Sequence, residues 1–142
     1  MKEMREIFGD KLTELGKADK RIIVLDADLS TSTRTDLFKN VLPSQFIQVG
    51  IAEQNLVGLA AGLATCGLIP FPTTFAVFST KRAYEQISVS IAYPKLNVKI
   101  PGCYSGISTG KAGATHCSTE DLAIMRSMPN MRVYRQQRMD TN

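Results

Sequence analysis

Apolar residues near the start of the chain fall at helical spacing. Met4, Ile7, Phe8, Leu12 and Leu15 share one stripe with charges between them, which predicts an amphipathic helix over residues 2–17 with Gly16 as a stop signal. The period then changes. Arg21-Ile-Ile-Val-Leu-Asp-Ala-Asp is a short aliphatic run ending in two aspartates, the pattern of a strand buried on both faces. The Ser/Thr-rich stretch 30–35 reads as a loop that caps a short helix through Asp36, Leu37, Phe38 and Val41, closed by Pro43. Phe46-Ile-Gln-Val is a second strand. Residues 49–64 form a helix stopped by Gly67, and Leu68-Ile-Pro-Phe is a short third strand broken by Pro70 and Pro72. Residues 73–78 read as a loop with two aromatics, and 81–92 as a helix with Ala83, Ile87 and Ile91 inward. Leu96-Asn-Val-Lys-Ile-Pro is a fourth strand. Ser118-Thr-Glu-Asp offers a variant capping box for a helix carrying Leu122, Ile124 and Met125, which Pro129 ends.

Strand and helix alternate, and no hairpin signal joins consecutive strands. The expected fold is therefore α/β, a three-layer domain with a mostly parallel central sheet and right-handed crossovers. Ligands of such sheets gather at the C-terminal ends of the strands. That edge collects Asp26 and Asp28, residues 50–53, Phe75 and Phe78, and the loop after Pro101. The loop is long for a compact domain, as functional loops often are. Its Gly106-Ile-Ser-Thr-Gly-Lys-Ala superficially resembles a nucleotide phosphate loop, but the glycines are one residue too close and Ala112 stands where a magnesium-binding hydroxyl belongs.

With 142 residues and 44% hydrophobic content, the chain can build one core. The net charge of +4 does not form a basic stripe interleaved with stacking aromatics, because Arg132, Arg135 and Arg138 concentrate positive charge near the end; nucleic-acid binding is not expected. Cys66, Cys103 and Cys117 are odd in number and lack Cys-x-x-Cys spacing, which indicates neither a disulfide framework nor a zinc site and suits the reducing cytoplasm. The first residues lack an apolar signal core and no stretch has the length of a membrane span, so no membrane association is expected.

Glu53 is the one carboxylate of its helix. Leu56, Val57, Ala60 and Ala61 lie on the same face at spacings of three, four, seven and eight. Two readings follow: a first-turn glutamate that stabilises a helix start, or a buried acid that shares a proton with a ligand. His116, the sole histidine, stands at a loop-to-helix junction on the ligand edge, where it is either structural or catalytic.

Taken in order, Asp26-Ala-Asp-Leu-Ser, Gly50-Ile-Ala-Glu-Gln-Asn, Thr73-Thr-Phe-Ala-Val-Phe, Gly113-Ala-Thr-His and Glu120-Asp-Leu-Ala-Ile-Met-Arg-Ser-Met-Pro-Asn-Met resemble the pyrimidine-binding domain of transketolase-like thiamine diphosphate enzymes. The likeness runs from near residue 4 to Met131 and is closest to the separate C-terminal subunit of split transketolases. It implies a domain over residues 1–133, incomplete at its C-terminal side, followed by a basic tail, 134–142, that departs from the family pattern. The implied activity is transfer of a two-carbon ketol group between sugar phosphates with thiamine diphosphate. By the resemblance, Glu53 hydrogen-bonds N1' of the cofactor's aminopyrimidine, and a proton shared there lets the 4'-nitrogen activate the thiazolium carbon. Phe75 and Phe78 pack against the pyrimidine, Asp28 and Leu29 lie near the thiazolium, Ser32 contacts substrate phosphate, and His116 bonds the substrate beside its reacting carbons. Gly58 and Gly62 would let their helix approach a partner helix closely, although packing within the domain explains them as well.

Three departures qualify this. Tyr104 and Ala112 occupy positions where the family's usual histidine and aspartate read sugar hydroxyls, so both polar contacts are changed and the resemblance does not fix the donor and acceptor sugars. The chain has no Gly-Asp-Gly followed by asparagine, the pattern that holds Mg2+ and the diphosphate; the metal has no ligand here and a partner, an N-terminal diphosphate-binding transketolase subunit, must supply it. The expected assembly is a homo- or hetero-oligomer, the isolated chain inactive. Finally, the sequence stops after Val133-Tyr-Arg-Gln-Gln-Arg-Met-Asp-Thr-Asn, which implies a truncated subunit whose sheet lacks its last strand and exposes an edge. Alternatives are another thiamine diphosphate enzyme, deoxyxylulose-phosphate synthase or a 2-oxo acid dehydrogenase beta-type subunit, or a truncated remnant without catalysis.

Overall fold

In β1 (Ile22–Asp26) side chains alternate between the two faces of a sheet, and each face has its own core. Ile22 and Val24 pack with Leu12 and Phe38, whereas Leu25 and Ile23 pack with Leu56 and Ala60. Helices therefore cover both faces, in three layers. The computed structural model describes residues 2–107 and 109–136. Its sheet has four strands in the order β2, β1, β3, β4, where β2 is Phe46–Gln48, β3 Ile69–Phe75 and β4 Gly102–Cys103, and every pairing is parallel.

Helix α1 (Met4–Ala18) begins with a capping box between Glu3 and Glu6. It does not stop at Gly16. Its buried face is Gly9, Leu12, Thr13 and Gly16, while Met4, Ile7 and Leu15 of the predicted stripe are exposed. The reason is close approach. A Cβ on Gly16 would lie 2.4 Å from the Phe38 ring, and one on Gly9 would lie 2.4 Å from the carbonyl of Arg34. Two glycines two helical turns apart thus let α1 rest on the segment that carries α2 (Ser30–Thr33) and α3 (Asp36–Val41). The predicted loop over 30–35 is partly this short α2.

On the other face lies α4 (Glu53–Thr65), with Leu56, Val57, Ala60 and Ala61 buried as their spacing implies. Each fully buried Leu or Val contributes roughly 1.5–3 kcal/mol relative to exposure, which outweighs the cost of about 1 kcal/mol for each helical glycine. Gly67, at φ +83°, ends the helix, and the Leu68 N–H donates back to the carbonyl of Leu63 at 3.2 Å.

Strand β3 corrects the expected break. It runs unbroken through Pro70 and Pro72, paired with β1 from Ile69 to Thr73. The Ile69 N–H donates to Arg21 on the β1 side, so residues 70 and 72 face the opposite neighbour, where the carbonyl of Pro70 accepts from the Lys99 N–H at 2.9 Å. Prolines have no N–H to offer there. For the same reason residues 96–101 form no strand, and pairing resumes only beyond the prolines, as the two residues of β4. Residues 73–78 are not a loop either: β3 continues to Phe75 and α5 (Ala76–Lys81) starts at once. The predicted helix over 81–92 is a short α6 (Tyr84–Gln86) continued by a π-helical turn, Ile87–Ala92, with Ala83, Ile87 and Ile91 inward as expected.

The last helix, α7, is Asp121–Arg126 and has no side-chain cap. Ser118 instead pairs through its backbone with Gly106 at 2.7 and 2.9 Å and closes the long loop, which removes it from the expected capping role. Among the described residues no helix is long and apolar enough to cross a membrane. Of the expected basic tail, 137–142, with Arg138, lies outside the described residues.

Candidate functional site

Four parallel strands end on one side of the sheet, and the segments that leave them carry every candidate residue. Leaving β1, Asp26 is wholly buried and fully employed. Its carboxylate accepts from the Leu29 N–H at 2.8 Å, the Thr35 hydroxyl at 2.9 Å and the Gln48 amide at 3.3 Å. A buried carboxylate so satisfied is scaffold, and it fixes the path of the chain around residues 28–35. Asp28 next to it is exposed at φ +63°, with its N–H donated to Gln48 Oε1 at 2.9 Å. Asp tolerates this left-handed conformation better than most residues.

Phe75 and Phe78 end β3 and open α5, with ring centroids 5.8 Å apart and planes 15° from parallel. Tyr104 lies 4.7 Å from Phe75, and Leu29 and Cys103 pack against the same cluster. The His116 ring meets Phe78 edge-on at 5.2 Å and Phe75 at 6.1 Å. The long loop thus returns its histidine to aromatics that lie far back along the chain. His116 Nδ1 is paired with the Thr115 hydroxyl at 2.9 Å, which leaves Nε2 free of that contact. Burial, with the charge of Asp26 adding to it, pushes the Cys103 thiol up to about 12, so this cysteine is no nucleophile.

Glu53 is 6% exposed at the wall of an open cleft of about 560 Å³ lined by Ala52, Gln54, Asn55, Lys81 and Arg82. Arg82 donates to its Oε1 at 2.9 Å. The same guanidinium lies 4.0 Å from the centroid of the Phe78 ring, a cation–π contact worth about 0.5–2 kcal/mol. One planar group therefore joins the buried acid to the aromatic cluster. The motifs do not include Arg82, yet two signals point to it: a buried carboxylate needs a counter-charge, and Arg82 follows Phe78 by one helical turn.

A second arginine outside the motifs, Arg5 of α1, reaches the Ser32 carbonyl at 3.3 Å and the Tyr104 hydroxyl at 2.7 Å. Its pairing with Glu3 and Tyr104 holds the guanidinium charged beyond its ordinary range. Nothing in sequence spacing could connect residues 5, 32 and 104. The structure thus brings Leu29, Phe75, Phe78 and His116 together, attaches Glu53 through Arg82, places Ser32 beside Arg5, and leaves Asp28 exposed on the rim.

The family described as transketolase, pyrimidine binding domain, matches residues 1–137. A Methanocaldococcus jannaschii protein assigned by inference as a transketolase C-terminal section is 52% identical over 92% of this chain, and the 6-deoxy-6-sulfo-D-fructose transketolase subunit SqwH of a Clostridium species is 44% identical over 92%. The chain spans 41% of the length of each. Among solved structures, a split-gene transketolase in an inactive beta4 tetramer is 55% identical with a TM-score of 0.76, covering 89% of this chain and 40% of that one. Transketolase from Campylobacter jejuni is 28% identical with a TM-score of 0.79, covering 89% and 20%.

Proposed function

The chain belongs to the transketolase pyrimidine-binding domain family, and from that premise we propose that it forms the aminopyrimidine half of a thiamine diphosphate site in a split transketolase. The observation that carries this is Glu53: a carboxylate buried on an otherwise apolar helix face, opening on a cleft and already paired with a planar nitrogen-bearing group that lies over Phe78. The donor set fits an aminopyrimidine, which asks for one acid at its edge and aromatic surface on its face. When bound, thiamine diphosphate supplies a carbon nucleophile able to carry a two-carbon ketol unit from one sugar to another.

The chain's own residues have distinct parts. Glu53, seated in the buried face of α4, shares a proton with the ring nitrogen it faces. Phe75 and Phe78 orient the ring by offset stacking, worth roughly 0.5–1.5 kcal/mol beyond burial. Leu29 and Asp28 bound the thiazolium end. His116, with Nδ1 held by Thr115, presents Nε2 to a substrate oxygen beside the reacting carbons. Ser32 takes the substrate phosphate, and Arg5 beside it adds a charged donor suited to phosphate oxygens. Tyr104, which accepts a hydrogen bond from Arg5, stands where the family's usual histidine reads the sugar, so that polar contact is changed.

The remaining assignments are of the same kind. The pyrimidine-binding module occupies residues 1–133, Mg2+ and the diphosphate are held by an N-terminal partner subunit, and the assembly works in the cytoplasm as an oligomer. To test the reading, the chain is combined with a diphosphate-binding transketolase subunit and ketol transfer is followed with a panel of sugar phosphates. Glu53→Gln should lower the rate at least about 100-fold, the scale of a lost acid–base group, at unchanged far-UV circular dichroism. Retained activity would overturn the assignment. Release of carbon dioxide from a 2-oxo acid donor would move it to the synthase or dehydrogenase alternative.

A further inference from the structure

Arg82 makes, by itself, both contacts that the proposed site offers a pyrimidine. Its Nη1 lies 2.9 Å from Glu53 Oε1 and its guanidinium carbon 4.0 Å from the Phe78 centroid. A guanidinium is flat, carries N–H donors along its edge and stacks on aromatic faces, three properties it shares with an aminopyrimidine. The side chain is 51% exposed and Glu53 6%, so the arginine has solvent to turn into and the acid does not. The main chain at Arg82 is anchored separately, since its carbonyl accepts from Gln54 Nε2 at 3.0 Å. The side chain can therefore turn away from Glu53 toward solvent without moving α4 or α5.

We propose that Arg82 is an internal occupant of the pyrimidine site, which closes Glu53 and Phe78 in the unliganded chain and must be displaced before the cofactor's ring can enter. The inference rests on the reading of Glu53 as the pyrimidine-binding acid. Its physical basis is competition: a ligand that requires the open arrangement binds with an affinity reduced by the fraction of time that arrangement exists. A contact formed about nine-tenths of the time lowers the apparent affinity about tenfold. In the isolated chain the pairing also gives the buried carboxylate its counter-charge, without which a buried ion is costly.

The test uses the full chain and free thiamine as probe, followed by ligand-observed NMR. Arg82→Met keeps the aliphatic stem and removes the guanidinium, and should bind thiamine about tenfold more tightly than the unaltered chain. Arg82→Lys, which keeps charge without the flat face, should fall between them and serves alone if the Met variant does not give a cooperative thermal transition. Methylguanidinium should displace thiamine from Arg82→Met. Equal or weaker binding by both Arg82 variants overturns the inference while leaving the pyrimidine reading intact. If no chain binds thiamine, the same comparison is made with thiamine diphosphate on the complex with the diphosphate-binding subunit. Failure of every complex to bind then overturns the pyrimidine reading and the inference together.

Discussion

Gly16 and Gly62 are both glycines inside helices, and the fold gives them opposite values. A Cβ at Gly16 would lie 2.4 Å from Phe38 and 2.8 Å from Leu42, whereas at Gly62 nothing lies within 4 Å. Gly16→Ala should therefore destabilise the chain by about 1–3 kcal/mol through overpacking. Gly62→Ala, which only gains helix propensity, should stabilise the isolated chain by up to about 1 kcal/mol. Urea unfolding of the two variants beside the parent checks both signs. Glu53 was legible from sequence because a lone charge on a helix face that is apolar at spacings of three, four, seven and eight is carried into the core with that face. Gly16 was not legible as a packing residue, since a glycine near a helix end has the same appearance whether it stops the helix or admits a neighbour. Arg5 was hidden for another reason: its partners Ser32 and Tyr104 lie at sequence separations of 27 and 99, to which no local pattern refers.

Among the elements, the parallel α/β order was readable because aliphatic runs and helical stripes alternate with different periods. The errors fell where a residue's usual meaning depends on which neighbour it faces. Pro70 and Pro72 read as strand breakers, yet in a parallel strand consecutive residues point their backbone groups to opposite sides, and both prolines point away from β1. Ser118 read as a cap and became a loop clasp. The α5–α7 packing adds an electrostatic link, Lys81 to Glu120 at 3.0 Å. The hydrogen bond from Lys81, with a smaller contribution from Thr119, holds the Glu120 carboxyl below its ordinary value near 4.5. A carboxylate whose folded value is depressed contributes stability above the unfolded value and loses it as pH falls through the folded one. Glu120→Gln should therefore lower the melting temperature slightly at pH 7; the gap should begin to shrink below about pH 4.5 and close only once pH is under the lowered folded value, where both chains carry a neutral side chain. A gap that persists in acid would assign the effect to packing.

At the scale of the molecule, the candidate site is made of two contributions that meet at the aromatic cluster. Glu53 comes from α4, which packs on β1 and β3, while Tyr104 and His116 come from the segment beyond β4. β3 is joined to β1 over five residues of register and to β4 over two. The amides of Gly102 and Cys103 should accordingly exchange with deuterium well before those of Ile23 to Leu25, as residue-resolved exchange measurements would show. Uniform protection across the sheet would contradict this. The two prolines thus give the sheet a grain, as in split wood: load is carried along the β1–β3 seam and yields along the β3–β4 seam. A pull that parts the sheet there peels the histidine-bearing loop away as one flap and leaves the acid seated on the remaining plank.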